Sequence, residues 1–173
     1  MLMGVSYEIV RKSHRVLTGL YEIQNLEAFL ATVAADTKDQ APDEMSKRIL
    51  HKWAMKSAEH FKMVEEVIGL LREEAKTVGD QCHYCIEDMT GWSLVCKYAK
   101  KYILAEDLYK VVKRNLELKE DLAERYSKLS QLVHNRKAKD ILTRLSALEK
   151  DDHAEAQLLV DVLEKMYHPK LKQ

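Results

Sequence analysis

The stretch Ile49–Leu71, ILHKWAMKSAEHFKMVEEVIGLL, keeps its apolar residues at helical spacing and interrupts them with polar ones. At roughly 100° per residue, Trp53, His60, Val64, Val67 and Leu71 share one sector of a helix, with Lys56 and Ser57 on its two edges. A displacement of 92 residues carries Ile49, Trp53, Ser57, His60, Val64, Val67 and Leu71 onto Ile141, Leu145, Glu149, Asp152, Ala156, Leu159 and Leu163. The same displacement carries Val16, Leu20, Ile23, Glu27, Leu30 and Ala34 onto Leu108, Val112, Asn115, Lys119, Leu122 and Tyr126. The repeat predicts two helical hairpins, each with ionisable residues on the stripe that faces the other. Burying such groups costs several kcal/mol each unless they are paired or hold a metal.

Outward from that stretch, the chain reads as all-α. Its 173 residues include two Pro and five Gly, a composition that favours helix and one domain spanning residues 1–173. A first helix is expected from Ser6, as N-cap, to about Asp36, then a loop over Thr37–Ala41. Pro42 suits the first turn of a second helix that stops near Gly79, with Asp43 and Glu44 at its positive end. The first hairpin is thus expected over 6–79, a crossover over 80–92, and a second hairpin over 93–167. In the second hairpin a break is expected at His134–Asn135. Four helices of roughly 30 residues are each about 45 Å long. The fold expected is an antiparallel four-helix bundle with a crossover after the second helix.

The 28 basic and 28 acidic side chains cancel, so no net field draws the chain to nucleic acid or an anionic membrane. No run approaches the roughly 18 apolar residues of a membrane span, and Met1–Ser13 lacks a signal-peptide core. A cytoplasmic protein is expected, and its three cysteines are too few for a disulfide framework.

The inward stripes hold the candidate chemistry. Glu27 lies mid-stripe on the first helix and His60 on the second. Asp152 lies on the stripe of the fourth, with Glu149 near its edge and His153 further round. On the third helix Glu117, Glu120, Asp121 and Glu124 share a face with Lys113, Arg114 and Lys128, which reads as solvated. Its inward residues are Lys119 and Tyr126. Ser57 and His60 follow Glu27 by 30 and 33 residues, and Glu149 and Asp152 follow Lys119 by the same intervals. In two hairpins these groups reach one level of the bundle.

This pattern resembles the ferritin-like superfamily, in particular the rubrerythrin-type di-iron carboxylate bundles. That family places a Glu on one helix and Glu-x-x-His on the next, repeated in the second hairpin. Glu27 matches the first carboxylate, His60 the histidine, and Glu149 the second motif's carboxylate. Ser57, Asp152 and Lys119 depart from it. The resemblance implies a divalent metal, iron with manganese or zinc as alternatives, one or two ions, held by Glu27, His60, Glu149 and Asp152. It also implies iron-dependent oxidation–reduction directed at peroxide or oxygen, with an electron donor that the sequence does not identify.

Two other readings stand beside it. Lys119 can bridge Glu27, Glu149 and Asp152 without metal, leaving a structural or protein-interaction bundle. A shifted register would instead make Glu120 or His153 a ligand. Cys82 and Cys85, a CxxC enclosing His83, offer a zinc site with Cys96, or stand as reduced thiols. Trp53 reads as core, and Tyr126 as core with its hydroxyl bonded to a neighbour. His14, His51, His134 and His168 fall off the stripes. A homodimer through a remaining apolar flank is compatible with the pattern.

Overall fold

The computed structural model describes residues 2–41, 43–78 and 108–167, with side chains described over 16–41, 43–74 and 108–166. Among these the chain forms four helices and no strand: α1 (Leu2–Gln40), α2 (Glu44–Val78), α3 (Leu108–Leu132) and α4 (Arg136–Tyr167). The expected crossover over 80–92, the start of the third helix, and Cys82, His83, Cys85, Cys96 and His168 lie outside the described residues.

Helix boundaries follow local chemistry. The Asp43 carboxylate accepts from the Ser46 backbone N–H at 2.7 Å and from the Ser46 hydroxyl at 2.8 Å, capping α2. The Asn135 side chain accepts from the Ala138 N–H at 2.9 Å and caps α4. Two expected bounds are corrected. Ser6 lies inside α1 and is not its cap, because the helix already runs from Leu2. Residues 37–40 are not loop but the last turn of α1, where the Thr37 hydroxyl donates back to the Val33 carbonyl at 2.7 Å and accepts helical geometry.

The helices pack as a bundle. α1 lies along α2 and α3 along α4, with further contacts of α2 on α4 and α1 on α3. Two apolar clusters fill the interior. One joins Val16–Leu30 of α1, Val64–Leu71 of α2, Leu118–Leu129 of α3 and Ala138–Leu145 of α4, with Val133 beyond the end of α3. The other joins Ala34, Leu50, Trp53, Val112, Ala156, Leu159, Val160 and Leu163, with Ala41 beyond the end of α1. Between them sits a belt of buried polar side chains: Glu27, Ser57, His60, Lys119, Glu149 and Asp152. Glu117, Glu120 and Glu124 face solvent, as the charge pattern of α3 predicts. No helix among the described residues is long and apolar enough to cross a membrane.

Candidate metal centre

Each helix delivers at least one ionisable side chain to the belt because polar residues replace apolar ones in its inward stripe. Glu27 comes from α1, His60 from α2, Lys119 and Tyr126 from α3, and Glu149 and Asp152 from α4. All six are buried, Glu27, Tyr126 and Glu149 with no exposed surface at all.

His60 occupies the middle. Its Nδ1 lies 2.7 Å from Glu149 Oε1 and 3.5 Å from Glu27 Oε1. The same Oε1 accepts from the Tyr126 hydroxyl at 2.8 Å. Beyond Glu149, the Lys119 ammonium lies 3.1 Å from Oε2 and 3.9 Å from Asp152 Oδ2. The first of these contacts has the distance of a hydrogen bond without its alignment. Lys119 Nζ, Glu149 Oε2 and Asp152 Oδ2 are therefore held by charge alone, and Glu27 Oε2 has no bonding partner.

Burial and proximity pull these groups away from their ordinary ionisation. Desolvation, with the nearby charge of Glu149, raises the Glu27 carboxyl from 4.5 to about 7. Glu149 is equally buried, yet the Lys119 ammonium and the His60 contact outweigh desolvation and lower it to about 2. Burial disfavours a charged imidazole, but hydrogen bonds and charge from Glu149 and Glu27 prevail and raise His60 to about 9. Lys119 follows the same logic: burial opposes its charge, and Glu149, Glu27 and Asp152 hold it above the ordinary ammonium range. Burial and the charge of Glu27 push the Tyr126 hydroxyl well above its usual value. In metal-free protein at neutral pH, His60 and Lys119 are cationic and face the ionised Glu149.

Glu27, His60 and Glu149 can each direct one ligand atom to a common point, these atoms lying within 4.8 Å of one another. Asp152, also expected among the ligands, stands one turn of α4 further on. Its Oδ1 accepts from the Lys56 ammonium at 2.5 Å, which also reaches Glu155 Oε2 at 3.0 Å. Lys52 bonds the other oxygen of Glu155 at 2.7 Å. Neither Glu120, which is exposed, nor the half-buried His153 belongs to the cluster. Tyr126 has the bonded hydroxyl its position predicts, and the partner is Glu27. Trp53 is core: it lines a small cleft with Leu30, Leu50 and Asn115, and its buried Nε1 has no hydrogen bond.

The roles of Lys56 and Glu155 escape sequence reading. Lys56 marks the edge of the α2 stripe, and its consequence appears only when α4 is placed against it. Glu155 has a weak signal: it follows Asp152 by three residues, one helical turn. No family model matches the chain, and no curated protein or solved structure was found to match it.

Proposed function

We propose that the chain is a ferritin-like bundle of two antiparallel hairpins that binds one divalent cation between Glu27, His60 and Glu149. The observation that carries this reading is three convergent, fully enclosed donors of carboxylate and imidazole type. Oxygen and nitrogen donors of this kind suit iron, manganese or zinc. Glu27 Oε2 and Glu149 Oε2, buried acceptors without hydrogen bonds, are what a bound cation would satisfy. The pairing of α1 with α2 and α3 with α4, with α2 against α4 and α1 against α3, supports a crossover after the second helix.

Binding requires His60 to give up its proton and Glu27 to ionise, so affinity rises with pH. Lys119 sets the stoichiometry. Its ammonium stands beside Glu149 and Asp152 and repels a second cation, so one ion per chain is the expected load. Iron held there would supply the oxidation–reduction that the resemblance to rubrerythrin-type bundles implies. The chain's own residues bind it and shield it from bulk water, Glu27 and His60 releasing their protons as it enters.

A second reading rests on one specific observation. Lys119 and Lys56 already face Glu149 and Asp152, and His60 and Tyr126 already face Glu27. On that reading the belt is complete without metal and the bundle acts through its outer faces. Elemental analysis separates the two. Tag-free protein from cells supplemented with iron, manganese and zinc should carry one ion per chain, lost in His60→Ala. Protein that stays metal-free after reconstitution with each of the three would overturn the proposal in favour of the second reading.

A further inference from the structure

A continuous row of alternating charges runs from the surface to the belt. It begins at Lys52 on α2, more than half exposed, and passes to Glu155 on α4 at 2.7 Å. From there it crosses to Lys56 at 3.0 Å, to Asp152 at 2.5 Å, and to Lys119 at 3.9 Å beside Glu149. Exposure falls along it: the Lys56 side chain keeps 27%, Asp152 keeps 3% and Lys119 keeps 2%.

Two features of the row stand out. One nitrogen, Lys56 Nζ, is held by carboxylates from successive turns of α4, the position a small cation would take between them. Asp152 also faces both ways. Its Oδ1 takes the Lys56 ammonium, while Oδ2, buried and without a hydrogen bond, is turned toward Lys119 and the centre.

Resting on the cation site proposed above, we propose that Lys56 is a movable plug in the mouth through which a divalent cation reaches that site, its ammonium occupying the place between Asp152 and Glu155 that the cation takes on arrival. The plug opens by rotating a long, flexible side chain whose outer part already touches water. Its pair with the partly exposed Glu155 is weak, whereas release of the buried Asp152 is the costly step that makes opening slow. Asp152 is then the transfer group: it receives the cation at Oδ1 and presents it inward, one turn from Glu149. Lys52 holds Glu155 in place but does not block the mouth.

Cobalt(II), followed by its visible absorption in stopped flow, tests this on the full-length, chelator-stripped protein. In the unaltered chain, association should level off at high cobalt, limited by plug opening. Lys56→Met should associate about tenfold faster and bind the same amount of cobalt. Lys52→Met should stay within about twofold of the unaltered rate. Lys56→Arg, whose planar fork grips two carboxylates more firmly, should associate more slowly. It also serves as the test should Lys56→Met fail to fold by circular dichroism. Unchanged rates at position 56, with normal cobalt content, would overturn the plug and leave the site standing. No cobalt bound by the unaltered chain would overturn the site and the plug with it.

Discussion

His60 is the side chain on which the centre turns, because it stands between two carboxylates that repel each other. Its proton stabilises the metal-free fold, and the sign of that effect follows from the direction of each shift. The raised His60 contributes stability that is complete below its ordinary 6.5 and is lost as pH rises through about 9. Glu27, also raised, favours the fold when protonated, so its contribution falls as pH climbs from 4.5 through about 7. Glu149, lowered, contributes above 4.5 and loses that contribution as pH falls toward about 2. The melting temperature of metal-free protein should therefore decline between roughly pH 5 and pH 9. In His60→Ala the upper part of that decline should vanish. Protein loaded with manganese should show the opposite trend across neutral pH, since the cation competes with those same protons. A melting temperature that rises with pH in the metal-free state would contradict the assigned proton positions.

At the scale of the helices, stability at the ends resides in two short caps. Asp43 satisfies the Ser46 N–H and hydroxyl, and these bonds hold its carboxyl below the usual carboxylate range, burial being too slight to oppose them. Replacing Asp43 or Asn135 with Ala should each cost about 1 kcal/mol, read as a shift of the urea midpoint with unchanged slope. The inward stripes that these caps deliver were legible in the sequence. Glu27, His60, Lys119, Tyr126, Glu149 and Asp152 are all buried, because a polar residue inside an apolar 3.6-residue stripe has nowhere else to go. Ends were less legible. Ser6 and Thr37 are residue types that both cap helices and tolerate their interiors, and only the surrounding structure decides. Seams were least legible of all. Lys56 and Glu155 lie at stripe edges, where the facing helix determines whether a charge meets water or a partner. The choice between metal and ammonium in the belt was not legible either, since the same carboxylates serve both.

Among the described residues, buried charge is confined to one belt between two apolar cores, and Lys119 is the only fully buried lysine. Its removal exposes what it compensates. Lys119→Glu would place a fourth carboxylate beside Glu27, Glu149 and Asp152, destabilising metal-free protein by about 3–5 kcal/mol, the range for an uncompensated buried charge. Added manganese should recover most of that loss, as a concentration-dependent rise in melting temperature larger than in the unaltered chain. A variant that melts low with or without manganese would show that Lys119 does not stand in for a cation.

The belt has another consequence, for how the helices find their places. Long amphipathic helices with similar leucine-rich stripes can slide past one another by a turn and still bury most of their apolar surface. Here a one-turn slip of α3 would bring Asn115 or Leu122 to the level of Lys119 and carry the ammonium into leucines, away from Glu149. A comparable slip of α4 would strand Glu149 against apolar neighbours. Each sliding error leaves at least one charge buried alone, a penalty of several kcal/mol that apolar packing does not discriminate. The charged belt thus acts as a vernier for the bundle, marking the one alignment of four nearly interchangeable rods in which every buried charge meets its opposite.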